Sequence, residues 1–322
     1  MSGNKAARIV PLTWEGLEIA QGAEVEQDDW FTLPKGAGST GLSMYHISPR
    51  KPTFTHWEGA NLASVSLGKR QGKTNFTQSE RGEITVFSKA SRRRVLRLVA
   101  SLKQTEISTF VTTTYPDNFE RNPKKVKKHL DNFFKRFLRK FPDAIILWRL
   151  EPKKRKSGNN MGEIAPHFHL LVWNVDYKNL REWIPQNWYE VVGSGDEKHL
   201  AAGTRVERVR SSRGVLFYTA KYICKSDSYV MAGWGRYWGV VNRDMLKTIQ
   251  GKKIVTEIDD PTAITILRYM RRKASECYDR KGKFIGRRKI PKWGYKFTII
   301  GNADAWKSVA NKEQEKQFTN GE

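Results

Sequence analysis

Two apolar runs, Ala144–Leu150 and Pro166–Trp173, are separated by one polar stretch containing Lys153-Lys154-Arg155-Lys156-Ser157-Gly158-Asn159-Asn160. Runs of this length and composition read as strands, and a single connecting loop makes them neighbours in a sheet. Around them the periodicity changes. Ser91-Arg92-Arg93-Arg94 opens a helical stretch with Val95, Leu98, Val99 and Leu102 on one face. Ile107–Tyr115 is a β-branched strand that stops at Pro116. Asn122-Pro123 couples a cap residue to a first-turn proline. Behind it Val126, Leu130, Phe133, Phe134, Phe137 and Leu138 make a wide apolar stripe, with the lysines outward. A helix near Asn179–Val191, a strand near Thr204–Val209 and a helix over Ser212–Lys225 follow. The pattern predicts an α+β fold, a mainly antiparallel central sheet flanked by helices, with a basic helical C-terminal extension. In that extension Ala263, Leu267, Met270 and Ala274 face inward. The expected division is a partly irregular N-terminal region over 1–82, a central domain over 83–245 and the extension over 246–322.

Charge narrows the partner. The 322 residues carry 58 basic and 33 acidic side chains, a net charge of +25. Such an excess calls for a polyanion. With no long apolar run, lipidation signal or apolar leader, nucleic acid is the expected polyanion and a membrane is not. Arg121 to Lys156 holds fourteen basic and three acidic residues, which predicts a phosphate-binding surface. Eleven tryptophans beside basic residues also suit stacking on unpaired bases. Cys224 and Cys277 form neither a zinc cluster nor a disulfide framework, which fits a reducing, cytoplasmic setting. Gly68-Lys69-Arg70-Gln71-Gly72-Lys73-Thr74 is one residue short of a phosphate-binding loop and follows no apolar strand, so no NTPase is expected.

The chemistry concentrates at two places. His167 and His169 flank Phe168 in a strand, so both imidazoles project from one face and can reach a single cation. Two histidines satisfied by ordinary hydrogen bonds would share this spacing. Glu151 ends the neighbouring strand and can approach the pair, with Glu163 in the loop as the alternative carboxylate. Two imidazoles and a carboxylate suit Mg²⁺ or Mn²⁺ with positions open to substrate. Further on, Tyr218, Lys221, Tyr222 and Lys225 share one helical face, opposite Leu216, Ala220, Ile223 and Cys224. Tyrosines so placed can attack a phosphate, or simply anchor a surface groove. A free tyrosine is a poor nucleophile at neutral pH, so nearby ammonium groups and a polarised phosphate would have to assist it.

The order Phe110-Val111-Thr112-Thr113-Thr114-Tyr115-Pro116, Glu151, Pro166-His167-Phe168-His169-Leu170-Leu171, Tyr218-x-x-Lys221-Tyr222 resembles the HUH endonuclease superfamily. It is most similar to the replication initiators of small single-stranded DNA phages and rolling-circle plasmids, in which the His pair precedes the tyrosine helix. Conjugative relaxases place the tyrosine first. Gly235-Arg236-Tyr237-Trp238-Gly239 also resembles a segment after the tyrosine helix of such initiators. Two features depart from the family: the loop between Glu151 and Pro166 is long, and Thr113 stands where an apolar residue is usual. The resemblance implies metal ligation by His167 and His169, nucleophilic roles for one or both tyrosines, and Lys221 as a charged helper. It further implies a single-stranded origin DNA substrate, a 5′-phosphotyrosine product, and a host helicase and DNA polymerase as partners. A non-catalytic nucleic-acid-binding protein of the same fold, or a transposase of the superfamily, are the alternatives.

Overall fold

The computed structural model describes residues 51–68, 84–225, 229, 233–278, 283–289 and 296–319. The start of the N-terminal region, the Lys69–Thr74 stretch and the last residues of the basic tail lie outside them. In chain order the strands are β1 (Thr53–Trp57), β2 (Leu62–Ser66), β3 (Thr109–Thr113), β4 (Ile145–Lys154), β5 (Ile164–Trp173), β6 (Thr204–Arg208), β7 (Trp238–Val241), β8 (Lys253–Glu257), β9 (Glu276–Tyr278), β10 (Phe284–Arg287) and β11 (Lys296–Ile300). The helices are α1 (Lys89–Ala100), α2 (Pro123–Lys140), α3 (Tyr177–Val192), α4 (Glu197–Ala202), α5 (Ser212–Tyr218), α6 (Arg243–Ile249), α7 (Asp260–Ser275) and α8 (Ala303–Thr319), and a π-turn (Thr219–Ile223) continues α5.

The chain divides into two compact units, Gln78–Gly251 and a second made of Met1–Thr77 with Lys252–Glu322. In the first, a five-stranded sheet runs β6-β3-β5-β4-β7. Every neighbouring pair is antiparallel, as the sequence predicts. Helix α2 starts where the sequence places it: the Asn122 side chain accepts from Lys124 N and Pro123 fills the first turn. Val126, Leu130, Phe133, Phe134 and Phe137 are buried. At roughly 1.5–3 kcal/mol each, that stripe outweighs the few tenths by which neighbouring lysines repel one another along a helix. Helix α3, capped by Asp176 and ended by a left-handed Gly193, lies on the same face of the sheet. There Trp188 meets Phe133 and Phe168 edge-on, with ring centroids 5.5 and 6.0 Å apart. Four tryptophans, Trp173, Trp188, Trp234 and Trp306, are core residues rather than stacking surfaces. Helix α1 presents Val95, Leu96 and Val99 inward, with Leu98 only half-buried.

In the second unit, strands from both ends of the chain share one antiparallel sheet, β11-β2-β1-β8. Phe54, Val65, Ile299 and Trp306 pack with Ala263, Ile266, Leu267 and Met270 of α7, and Ala274 is partly buried against them. The inward stripe expected for α7 is therefore present, and the C-terminal extension is helix and strand together. No helix among the described residues is long and apolar enough to cross a membrane.

Candidate active site

The register of β4 and β5 builds the site. The two strands pair without a break from Ile145↔Trp173 to Lys154↔Ile164, further than the apolar runs alone indicate. Pro152 faces Pro166 in this extension. Pairing with the outer strands stops short of both prolines, at Phe168 for β3 and at Arg149 for β7. A residue without an N–H is tolerated there. The remaining turn is tied down: Arg155 N donates to Glu163 O (2.9 Å), Asn159 N to Asp117 Oδ2 (2.7 Å), and the Arg155 guanidinium to the carbonyls of Tyr115 and Pro116. In this register Glu151 lies opposite His167, and His169 lies between Arg149 on β4 and Thr112 on β3. Alternation along the strands then puts Phe110, Thr112, Arg149, Glu151, His167 and His169 on one face.

Contacts on that face are direct. Glu151 Oε2 is 2.6 Å from His169 Nε2, and Thr112 Oγ1 is 3.1 Å from His169 Nδ1. Burial opposes ionisation of Glu151. The hydrogen bond from His169, with the charges of His169, Arg149 and Lys225, outweighs it and holds the carboxyl down at about 2. Burial, aided by Lys153, pushes His167 down to about 3, and burial lowers His169 as well. With Glu151 ionised and His169 neutral, Nε2–H donates to the carboxylate and Nδ1 accepts from the Thr112 hydroxyl. The alternative carboxylate, Glu163, is taken up by Arg121, whose Nε and Nη2 donate to it at 3.0 and 2.7 Å.

Neutral imidazoles and an ionised carboxylate are the forms that ligate a divalent cation, so the donor chemistry fits one. As the side chains stand, no three His, Cys, Asp or Glu residues among the described residues are arranged to hold an ion. Glu151 spends one oxygen on His169 and turns the other to Lys225 Nζ, 3.5 Å away. Coordination at this place requires that the hydrogen bond between Glu151 and His169 be exchanged for bonds to the ion.

The tyrosines arrive from α5 and the turn that follows it. Ser211 caps α5 by accepting from Gly214 N. The expected helix over Ser212–Lys225 is regular only to Tyr218 and then widens into the π-turn, closed by Cys224 N donating to Thr219 O at 2.6 Å. The Thr219 hydroxyl donates back to Val215 O (2.7 Å), a bond that bends helices, at the residue where the widening begins. Leu216, Ala220, Ile223 and Cys224 are buried as expected. On the other side Tyr218 and Tyr222 lie 5.6 Å apart, ring centroid to centroid, and each sits 5.0 Å from Phe110. Tyr222 is 6.0 Å from the His169 ring. Lys221 Nζ lies 5.0 Å from the centre of the Tyr222 ring. Burial, with Glu207 and Tyr222 nearby, raises the Tyr218 phenol above its ordinary value, so it is not activated in the free protein.

Four participants were not singled out from sequence for what they do here. Phe110 is the platform under both tyrosines, Thr112 orients His169, and Lys225 pairs with Glu151. Arg149 is fully buried, stacks 4.9 Å over Phe87 and donates from Nη1 to Tyr222 O at 2.6 Å. An arginine inside the apolar run Ile145-Ile146-Leu147-Trp148-Arg149-Leu150 was the available signal, since a charge there must find a partner.

Residues 108–227, from the start of β3 through the tyrosine segment, match the family model described as Replication-associated protein ORF2. No curated protein and no solved structure matches the chain. The matched stretch, less than half of the chain, holds every residue of the face just described, so this site lies in a region similar to a replication-associated family.

Proposed function

We propose that the chain is a DNA strand-nicking enzyme that starts rolling-circle replication by tyrosine transesterification. The observation that carries this reading is the convergence of Tyr218 and Tyr222 on the His169–Glu151 pair across Phe110. His167, His169 and Glu151 are the residues that would hold Mg²⁺ or Mn²⁺, which when bound supplies Lewis-acid polarisation of the scissile phosphate and a template for it. Lys221 and Lys225 lend positive charge beside the phenols. A tyrosine oxygen attacks phosphorus and the bond from phosphorus to the 3′ oxygen breaks. The phenolic proton is passed on to that leaving oxygen. The products are a 5′-phosphotyrosine and a free 3′-hydroxyl, which primes a host DNA polymerase once a host helicase has opened the duplex. The substrate is single-stranded origin DNA in the cytoplasm of a bacterial or other host cell carrying the replicon.

The test is an adduct. Incubation with a labelled origin oligonucleotide and a divalent ion should give a complex that survives boiling in detergent. His167→Ala and His169→Ala should abolish it. Tyr218→Phe should slow the first cut severely. Tyr222→Phe should still cut but fail to release a closed circle, because one tyrosine opens the origin and the other recuts it. Peptide mapping that finds phosphate on neither tyrosine overturns the mechanism. One observation favours a second reading: Glu151 is already closed off by His169 and Lys225. A non-catalytic DNA-binding protein would show strong oligonucleotide binding with no adduct under any divalent ion.

A further inference from the structure

A cavity of about 490 Å³ opens at the end of the five-stranded sheet away from the β4–β5 turn, lined among others by Ile107, Ser108, Tyr177, Arg208 and Arg210. We propose that it binds a phosphodiester of single-stranded DNA outside the nicking site, an inference that rests on the DNA-binding part of the function proposed above.

Three observations converge on an anionic, partly apolar ligand. Arg208 and Arg210 line the cavity, and neither guanidinium makes a hydrogen bond or ion pair with another described residue. Other exposed arginines of this unit are neutralised: Arg205 by Glu207 at 2.8 Å, Arg121 by Glu163 and Arg136 by Glu190, each at 2.7 Å. Asp176, the one carboxylate in the lining, is engaged as the cap of α3 and accepts from Lys178 N at 2.7 Å. Ser108 is 3% exposed, and its hydroxyl is buried with no partner. Buried hydroxyls are nearly always paired, so an orphan beside two free guanidiniums lacks an acceptor such as a phosphate oxygen.

Size and position select a strand over a bare ion. The volume exceeds what one phosphate needs, and Tyr177 with the 52% exposed Ile107 offers apolar surface for a sugar or base. Thr112 faces His169, and Thr109 begins the same strand. Three residues of extended chain span roughly 10 Å, so a strand running along β3 from the tyrosines reaches the cavity within a few nucleotides.

The test compares the full chain with Arg208→Gln/Arg210→Gln and with Arg205→Gln, a change on the same edge strand at a paired arginine. Affinity for a 30-nucleotide single strand is measured by anisotropy at several salt concentrations, without divalent ion. Losing two phosphate contacts should reduce the log–log salt slope by about 1.4. Arg205→Gln should leave the slope unchanged. Ser108→Ala, which keeps the charge, should weaken binding several-fold at an unchanged slope. Equal slopes for the double variant and the wild type overturn the proposal. Displacement of the oligonucleotide by millimolar thymidine monophosphate in the wild type but not in the double variant also overturns it, making the cavity a free-nucleotide site. Because binding is read without cutting, a wild type that binds but never nicks sinks the enzyme reading and leaves the cavity to be judged on its slope.

Discussion

Arg149 occupies a position that packing alone would give to leucine, and its guanidinium holds the carbonyl of Tyr222 instead. Capping the end of the tyrosine segment from inside the sheet fixes where Tyr222 stands relative to His169. Arg149→Leu should therefore lower the unfolding midpoint, with a loss of about 1.5–3 kcal/mol for a charged hydrogen bond, and also weaken adduct formation at Tyr222 more than at Tyr218. Equal losses at both tyrosines would reduce Arg149 to a general core residue. Acid should act on two other residues of the same face. His167 is held near 3 against an ordinary 6.5, and Glu151 near 2 against 4.5, so below those ordinary values the unfolded chain binds protons that the folded chain refuses. For the metal-free chain, stability should be flat above pH 6.5 and fall by at most about 1.4 kcal/mol per unit between 6.5 and 4.5. Below 4.5 the limit rises to roughly 2.7 as Glu151 joins. His167→Gln should remove the upper limb of a urea-denaturation profile and spare the lower one. His167, His169 and Glu151 were readable because a period of two and one short connection fix which side chains share a face. Arg149 was passed over because its partner is a backbone carbonyl distant in sequence, which no spacing announces.

At the scale of elements, the sequence located the strands and helices of the first unit but missed how two of them end. Charged Lys153 and Lys154 continue β4, because the paired backbone of β5, and not side-chain burial, keeps them extended. The five-residue strands β1 and β2 went unread because mixed Thr, Ser and Phe carry little periodicity, and their partners β8 and β11 lie far away in the chain. The tyrosine segment read as one regular helix, since an apolar stripe looks much the same with or without one widened turn. Such turns concentrate at functional sites, and here the Thr219 back-bond to Val215 O marks its start. Thr219→Ala should cost about 1 kcal/mol and let the turn relax toward a regular helix, changing the offset between the tyrosines. The readout is the share of adduct mapped to Tyr222, which should fall relative to Tyr218. Thr219→Ser, which keeps the hydroxyl, should restore it. An unchanged share in the Ala variant would show that buried Ile223 and Cys224, and not this hydroxyl, set the turn.

Across the whole molecule, the net charge of +25 is less uniform than its total suggests. Among the basic residues of 121–156, Arg149 is interior and Arg155 is latched to Tyr115 and Pro116. Lys127 lies over Trp148 and donates to the Arg236 carbonyl. Arg121, Lys125, Lys135 and Arg136 are each paired with a carboxylate. Lys153, Lys154 and Lys156 remain exposed on or beside the strand that carries Glu151, and Lys153 is close enough to help push His167 down. These three are the cations best placed to neutralise phosphates of a strand entering the site. If about five phosphates are neutralised in all, binding of single-stranded DNA should show a log–log salt slope of roughly −3.5. Replacing Lys153, Lys154 and Lys156 together with Gln should bring it to about −1.4, since each lost contact removes roughly 0.7. Arg155→Gln belongs in a separate sample: it frees the turn from Tyr115 and Pro116, so it should lower the unfolding midpoint and leave the slope in place. A triple variant with the wild-type slope would assign these lysines to solubility alone. The phosphate contacts would then have to come from Lys124, Lys128, Arg139 and Lys140 of α2, where the same substitutions and the same measurement decide.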